Sequence, residues 1–382
     1  MKVPLLDLKA QYSSIQEEVE SELLRVARSQ MCILGKDVED LEKSLAKYLG
    51  VKHTVAVSSG SDALLMALMA YDVCPGDEII MPTFSFFATA GSAARLFAKP
   101  VLVDSDPVTF NIDPKKIEEK ITEKTKAIMP VHLFGQACEM DEILAIANKY
   151  NIPVIEDAAQ ALGTQYKDGR FVGSIGNIGC FSFYPSKNLG AFGDGGLVST
   201  NDDNLAEKLK YMRNHGMNPR YYHKFIGGNF RLDAIQAVVL SVKLKQLESW
   251  HSARRYNAQL YESFFAELNL TNGENPNVIT PKPVFIESGV TNYHIYNQFT
   301  IRVKNRNELK EFLAQKEIGS DIYYPVPFHQ QECFNYLNLK NDDYPVANEL
   351  ANSVLSLPIF PELTENQISY VAEVIAEFYG KK

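Results

Sequence analysis

Residues 54–71 read TVAVSSGSDALLMALMAY, an apolar run, a short polar turn and a second apolar run. The first run, residues 54–58, is rich in β-branched side chains and is typical of a buried strand. The second, residues 62–71, has the length and the Ala, Leu and Met content of a packed helix. The serines and the aspartate between them are residues that commonly begin helices. The stretch therefore predicts a strand that turns directly into a helix.

The same alternation continues to about residue 200. Further strands are predicted at residues 78–81, 100–104, 127–132, 153–156, 179–184 and 196–200. Helices are predicted at residues 62–71, 87–96, 114–121, 140–150 and 204–214. Because this rhythm is typical of a parallel sheet covered by helices on both faces, we expect a large α/β domain with a mostly parallel central sheet.

The C-terminal part has a different pattern. One or two long helices are predicted at residues 232–268, a linker-like loop at 270–292, a strand at 298–303, a helix at 307–317, a short strand near Ile322 and a final helix at 365–379. Asn307 and Thr364 are the predicted helix-start residues. We expect a large domain with an N-terminal arm over residues 1–248 and a smaller α+β domain over residues 249–382.

The composition excludes several classes of function. With 38 Lys and Arg against 47 Asp and Glu, the 382-residue chain has a net charge of −9, which argues against binding to nucleic acid. No run approaches 18 apolar residues, and the charges of Asp7 and Lys9 interrupt the N-terminus, so we expect neither a membrane span nor export. The odd number and wide spacing of the cysteines predict a cytoplasmic protein with no metal site. These are Cys32, Cys74, Cys138, Cys180 and Cys333.

Three segments carry groups that can bind a ligand or take part in a reaction. The turn at residues 58–64 opens a helix, so its free N–H groups form a seat for a phosphate, although the same residues would also serve as a simple helix cap. After the strand at 153–156, Asp157 can hold a cationic ring nitrogen and Gln160 a neighbouring phenolic oxygen; alternatively, Asp157 is only a cap. Lys187 lies between a strand and a glycine-rich loop, where Schiff-base chemistry and a solvated surface amine are the two interpretations.

Taken together, these segments supply the three groups that bind pyridoxal 5′-phosphate, in the order Ser61, Asp157, Lys187. At this point the chain resembles the DegT/DnrJ/StrS family of nucleotide-sugar aminotransferases, within the fold-type I aminotransferase superfamily. The matching segments run nearly end to end: residues 4–8, 33–35, 59–64, 75–78, 156–160, 181–190, 193–196, 229–233, 324–327 and 356–358.

The resemblance implies specific roles for residues of this chain. Lys187 is expected to be the Schiff-base lysine, Asp157 the partner of the pyridinium nitrogen and Gln160 the partner of the ring oxygen. The remaining expected cofactor contacts are the backbone of Ser61 and Asp62, the Ser182 hydroxyl, the stacked ring of Phe86, and Asn229 reaching across from a neighbouring subunit. A homodimer with shared active sites is therefore the expected working unit.

Three further residues are candidates for binding substrate. Arg231 lies two residues from Asn229, so in an extended segment both side chains project to one face, where Arg231 could bind a donor carboxylate. A surface ion pair with Asp233 or another acid is the alternative. Tyr323 and His329 resemble the family's acceptor-sugar region, and aromatic packing explains them nearly as well.

The function that follows is transfer of an amino group from L-glutamate to a nucleoside-diphosphate-linked keto-sugar, giving an amino sugar for lipopolysaccharide, O-antigen or a related product. Gln160 resembles members that act on 3-keto sugars, so C-3 is favoured over C-4 of a 4-keto-6-deoxy sugar. Lys187 argues against the family's dehydratases, which have His there. A non-catalytic sensor that binds the cofactor is the alternative of another class. A nicotinamide dehydrogenase is disfavoured because residues 173–179 and 190–196 lack G-x-G-x-x-G.

Overall fold

Helices and strands alternate through most of residues 1–381, which the computed structural model describes; Lys382, the last residue of the expected C-terminal domain, lies outside the described residues. The helices are α1 (Leu8–Ser13), α2 (Gln16–Ser29), α3 (Lys36–Leu49), α4 (Gly60–Ala70), α5 (Ala88–Arg95), α6 (Met140–Tyr150), α7 (Asp203–Met212), α8 (Ala234–Leu244), α9 (Leu247–Glu267), α10 (Arg306–Gln315), α11 (Pro345–Ser353) and α12 (Glu365–Phe378). The strands are β1 (His53–Val57), β2 (Glu78–Pro82), β3 (Lys99–Val103), β4 (Thr125–Ile128), β5 (Ile155–Asp157), β6 (Ile178–Ser182), β7 (Gly196–Thr200), β8 (Val278–Ile279), β9 (Phe299–Val303) and β10 (Val354–Leu357).

The central sheet is mostly parallel, as predicted. Two ladders, β1-β7-β6-β5 and β3-β2-β4, are joined by parallel bridges from Ile128 to Val154 and from Val131 to Asp157. Strand β7 alone runs antiparallel to its neighbours β1 and β6. Because the other six strands share one direction, their carboxyl ends meet at a single edge of the sheet, where ligands of open α/β sheets bind.

The helices bury their apolar residues against both faces of this sheet. Helix α4 packs against α5, α7 and the β6–β7 pair, and eight of its eleven residues are buried. Its sequence has apolar residues all round because it has protein on nearly every side. Ser59 caps its first turn by accepting a hydrogen bond from the amide of Asp62 at 3.0 Å. The cap fixes the start of α4 directly beyond the end of β1.

A second layer forms at the C-terminal end of the chain. The antiparallel sheet β10-β9-β8 packs with α10 and α12 and with the second half of α9 in a separate apolar core. Val3, at the N-terminus, also belongs to this core and pairs with Ile318. Leu247, at the start of α9, belongs to the core of the larger sheet, so α9 connects the two cores. The division at residue 248 stays a proposal.

Several local predictions differ from the structure. Residues 114–121 form two short 3₁₀ turns rather than an α-helix, since the Asp113 side chain caps the first turn and Ile121 is already extended. Near Ile322 there is only one bridge, from Asp321 to Ser356. Helix α10 begins after Asn305 rather than at Asn307, whereas Thr364 forms the predicted cap of α12. Helices α1, α2, α3 and α11 were not predicted.

Candidate active site

A cavity of about 510 Å³ opens at the carboxyl edge of the central sheet. This volume is within the usual range for a small-molecule site. Segments that follow β1, β2, β5 and β6 enclose it together with residues from the C-terminal layer. The polar residues that line it are Ser59, Ser61, Ser85, Asp157, Gln160, Ser182, Tyr184, Ser186, Lys187, Asp194, Gln298, Tyr323 and Tyr324.

Asp157 is the last residue of β5 and is almost completely buried, with 4% of its surface exposed. Its Oδ2 accepts a hydrogen bond from Thr89 Oγ1 at 2.8 Å, and its Oδ1 accepts one from the Ala159 amide at 3.2 Å. Burial raises the pKa of this carboxyl group, while the bond from Thr89, the bond from Ala159 and the charge of Lys187 oppose the rise. These two hydrogen bonds therefore fix the orientation of the Asp157 carboxyl group, which lines the cavity.

The adjacent acid, Glu156, faces the other side of the sheet because strand side chains alternate. Its carboxylate accepts hydrogen bonds from the amides of Gly173, Ile175 and Gly176 and contacts Nε2 of buried His132 at 2.9 Å. Glu156 thus anchors a loop, and only Asp157 of the two acids reaches the cavity. The two acids that end β5 have separate tasks.

Lys187 lies in the loop after β6 and lines the same cavity as Asp157. The loop is held by Asn188, whose side chain donates to the Ile295 carbonyl at 3.0 Å and accepts from Asn297 at 2.8 Å. Burial lowers the pKa of the Lys187 ammonium group to about 8, against a smaller opposing effect of the Asp157 charge. A lysine with this pKa is deprotonated far more often near neutral pH than an ordinary lysine, and the neutral amine is the nucleophilic form.

The amide group of Gln160 has a defined orientation. Its Oε1 accepts a hydrogen bond from the Phe134 amide at 2.7 Å, so its Nε2 is the end that faces the cavity. That Nε2 donates to the hydroxyl of Tyr324 at 2.9 Å. Gln160 therefore presents a hydrogen-bond donor to a ligand.

The start of α4 lines the cavity, where the sequence predicts an anion seat. The amide of Asp62, one of the two predicted phosphate contacts, instead donates to Ser59 Oγ, so the helix leaves the amides of Gly60 and Ser61 for a ligand. A Cβ at Gly60 would come within 2.7 Å of the Ser182 Cβ, so only glycine allows the helix to approach Ser182 this closely. Ser61 and Ser182 therefore line the same cavity. The Asp62 carboxylate accepts a hydrogen bond from the Ser58 hydroxyl.

The other predicted residues divide into two groups. Phe86, which is 57% exposed, and Tyr323 line the cavity. His329 lies outside the lining, bound through Nδ1 to Thr83 at 2.8 Å and through Nε2 to Asn348 at 2.9 Å. Burial lowers the pKa of its imidazole.

Asn229 and Arg231 also lie outside the lining of the chain's own cavity. They lie on a segment that continues the sheet beyond β1, with Arg231 bridged to Val57. Arg231 Nη1 donates to Asn214 at 2.6 Å, while its buried Nε has no hydrogen-bond partner within residues 1–381. The Nη1 donor of Arg231 is thus directed to the amide oxygen of Asn214 rather than to Asp233.

Sequence reasoning missed the residues that support the predicted ones. Thr89, Ser85 and Tyr324 all touch either the cavity or a side chain in it. The available signal was position, since Ser85 and Thr89 follow the carboxyl end of β2, where polar residues face a ligand site. Within residues 1–381, no cluster of His, Cys, Asp or Glu is arranged to hold a metal ion, and no helix is long and apolar enough to cross a lipid bilayer.

Comparison with known proteins identifies the family of the chain. The model of the DegT/DnrJ/EryC1/StrS aminotransferase family matches residues 13–376. The chain belongs to this family. It is therefore an aminotransferase that depends on pyridoxal 5′-phosphate, as the sequence resemblance predicts.

Individual relatives cover almost the whole chain. A protein of Geobacillus stearothermophilus named "Pleiotropic regulatory protein" is 49% identical over 379 residues, which are 99% of each chain. The UDP-N-acetyl-3-dehydro-alpha-D-glucosamine 3-aminotransferase of Acidithiobacillus ferrooxidans is 43% identical over 373 residues, 98% of this chain and 97% of that one. The crystal structure of S. venezuelae DesV in complex with a ketimine intermediate is 37% identical, with a TM-score of 0.92 over 99% of this chain and 98% of that chain.

Proposed function

We propose that this aminotransferase moves the amino group of L-glutamate to C-3 of a nucleoside-diphosphate-linked keto-sugar. The observation that carries the proposal is the convergence of a lysine of lowered pKa and a buried, oriented aspartate in one cavity. An amine that can be neutral and an acid that can hold a pyridinium nitrogen are the two groups that this chemistry needs from the protein.

The residues of the cavity fit pyridoxal 5′-phosphate. The amides of Gly60 and Ser61 and the Ser182 hydroxyl would hold the phosphate, Asp157 the ring nitrogen, Gln160 the ring oxygen and Lys187 the aldehyde carbon. Phe86 would cover the ring. When bound, the cofactor supplies an electron sink for the carbon that carries the amino group.

Each residue then has a distinct task. Lys187 would hold the cofactor through its side-chain amine and, when that amine is free, would move a proton at the substrate carbon. Asp157 would keep a proton on the ring nitrogen. Gln160 donates from Nε2, because its Oε1 is held by the Phe134 amide.

A homodimer with shared sites would account for the two residues that lie outside the cavity. The buried Nε of Arg231 has no hydrogen-bond partner among residues 1–381, and Arg231 would bind the donor carboxylate in the neighbouring subunit. Asn229, two residues away, would reach the cofactor phosphate there. We propose the reducing cytoplasm as the working compartment, which the five free cysteines support.

The choice of C-3 has two supports. Gln160 is the residue type that the resemblance connects with 3-keto sugars, and the Acidithiobacillus relative is named for amination at position 3 of a UDP-linked sugar. Amination at C-4 of a 4-keto-6-deoxy sugar is the competing assignment. We propose that the amino sugar enters a surface glycan such as lipopolysaccharide O-antigen. Tyr323 and His329 remain the proposed contacts of the acceptor region, with His329 acting from outside the cavity lining.

The half reactions test the proposal directly. The protein is loaded with pyridoxal 5′-phosphate, converted to the pyridoxamine form with L-glutamate, and freed of donor. Matched UDP- and dTDP-linked 3-keto and 4-keto sugars are then offered, and the visible spectrum shows which one regenerates the aldehyde form. Regeneration by a 3-keto sugar is the expected result, and regeneration by 4-keto sugars alone would move the assignment to C-4.

A sensor is the second candidate, since the Geobacillus relative is named as a regulatory protein. A sensor would bind the cofactor and give no spectral change with any amine. Bleaching by glutamate, and its loss on substitution of Lys187, would separate the enzyme from the sensor.

A further inference from the structure

The buried hydroxyl groups of Ser85 and Thr89 form a hydrogen-bonded line that ends at the carboxylate of Asp157. Ser85 Oγ lies 3.1 Å from Thr89 Oγ1, which lies 2.8 Å from Asp157 Oδ2. Thr89 has no exposed surface and Ser85 has 3%. Buried hydroxyl groups in proteins generally have hydrogen-bond partners. Of the three side chains in this line, only the Asp157 carboxylate is charged.

The direction of both hydrogen bonds follows from the number of protons. An ionised carboxylate can only accept, so Thr89 donates its single hydroxyl proton to Asp157. Thr89 Oγ1 must then accept from Ser85, whose own proton points along the line. Two donors in series polarise each other, so the bond that reaches the carboxylate is stronger than that of a lone hydroxyl.

The line acts on both the orientation and the charge of Asp157. Thr89 binds one carboxylate oxygen and the Ala159 amide binds the other, which fixes the plane of the group. Burial raises the pKa of Asp157, and the hydrogen bond from Thr89 is the largest of the effects that oppose this rise. Lys187 and His132 add smaller opposing effects of charge.

We propose that Thr89, supported by Ser85, is a positioning residue that keeps Asp157 ionised and aimed so that the carboxylate holds the proton on the cofactor's ring nitrogen. This inference rests on the proposed role of Asp157. Neither hydroxyl is given a step in the chemistry. They act through the acid.

The test uses Thr89→Val, which keeps the shape of the side chain and removes only the hydroxyl group. The holoenzyme is prepared with pyridoxal 5′-phosphate labelled with ¹⁵N in the ring, because the chemical shift of that nitrogen reports its protonation. We expect the signal of Thr89→Val to move toward the unprotonated position and the half reaction with glutamate to slow by roughly tenfold to a hundredfold. Asp157→Asn should move the signal at least as far.

Three variants separate the hydroxyl effect from packing. Thr89→Ser restores the donor without the methyl group, and it should restore the ¹⁵N signal and most of the rate. Ser85→Ala should shift the signal in the same direction as Thr89→Val, by less. Ser92→Ala is the matched control, since Ser92 is a buried hydroxyl on the same helix that donates to the Thr89 carbonyl and does not touch Asp157; it should behave as wild type.

The outcomes distinguish this inference from the proposed function. If Asp157→Asn shifts the ring-nitrogen signal and Thr89→Val does not, the role of Thr89 is overturned while that of Asp157 stands. If Thr89→Ser behaves as Thr89→Val does, the effect comes from packing and the inference is wrong. Should Thr89→Val not fold, a wild-type signal from Ser85→Ala overturns the series of two donors. If the wild type itself holds no labelled cofactor, the proposed function fails instead.

Discussion

The predicted site residues of the cavity and those of the segment of residues 229–231 differ in whether their polar atoms have hydrogen-bond partners. In the cavity, Asp157 and Gln160 have their polar atoms bound and directed by the chain's own backbone and side chains. On the segment, the buried Nε of Arg231 has no hydrogen-bond partner in the described part of the chain, residues 1–381, and neither Asn229 nor Arg231 lines the cavity. Because an unpartnered buried donor costs free energy, the difference supports the proposal that Arg231 finds its partner in the cavity of a neighbouring subunit, which it would complete.

The largest expected effect is at Lys187. Lys187→Ala should bind the cofactor without a covalent bond and lose roughly 10⁴-fold or more of its turnover, because the anchor and the proton carrier disappear together. The measurement is steady-state transamination together with the visible spectrum. Turnover near the wild-type value would end the assignment.

Lys243→Met is the matched control for that variant. Burial also lowers the pKa of Lys243 to about 8, but its ammonium group donates to the Gly190 carbonyl at 2.7 Å and does not line the cavity. We expect this variant to lose about 1–3 kcal/mol of unfolding free energy and to keep most of its turnover per folded molecule.

The adjacent acids Asp157 and Glu156 allow a role in the reaction to be separated from a role in stability. Asp157→Asn should lower the rate by roughly a hundredfold or more with little change in stability, since a neutral amide holds the ring nitrogen's proton poorly. Glu156→Gln should lower the unfolding free energy by about 2–4 kcal/mol, because an amide nitrogen would face backbone donors, with a near-normal rate per folded molecule. Denaturant unfolding and transamination assays of both variants check the pair, and equal losses of rate would contradict the division.

A mixed dimer tests whether the segment acts in the neighbouring cavity. Lys187→Ala and Arg231→Ala homodimers should each be nearly inactive. In a hybrid, one site carries both changes and the other carries neither. Random exchange of equal amounts makes about half the dimers hybrids, so about a quarter of wild-type activity should return. Differentially tagged subunits verify the exchange, and no recovery would mean that both residues serve one site in cis.

The smallest expected effect is a dependence of stability on pH. The pKa of Lys187 falls from 10.5 to about 8 on folding, so between those values the unfolded chain binds more protons than the folded one. Stability from this group therefore rises as the pH increases from about 8 toward 10.5, by roughly 1–2 kcal/mol after allowance for solvent in the cavity. Because the pKa of Lys243 is also lowered to about 8, Lys187→Met should keep part of this slope, and urea unfolding of the apoprotein should show a steeper rise in the wild type than in the variant. Parallel curves would contradict the contribution of Lys187.

The sequence by itself determined the central sheet and the chemical groups of the site. Each of the seven strands predicted between residues 54 and 200 overlaps a strand of the structure, because apolar β-branched runs between turn residues are local signals, although the strand predicted at 127–132 lies at Thr125–Ile128. The lysine, the acid and the capped helix start could be predicted because covalent and ionic chemistry restricts the residue types that can do it. Helix prediction was less accurate where local helix propensity competes with long-range contacts. At residues 114–121, for example, two short 3₁₀ turns form instead of the predicted α-helix.

Only the tertiary structure decided how those groups are directed. Asp157 and Glu156 are adjacent acids, and the sheet's two faces separate them into a cavity group and a loop anchor. Gln160 presents its nitrogen because Phe134, 26 residues earlier, holds its oxygen. Thr89 reaches Asp157 across 68 residues of chain, and His329 is bound by Thr83 from 246 residues away. Contacts between residues so far apart leave no periodic trace in the sequence, because they depend on how the strands and helices pack rather than on which of them form.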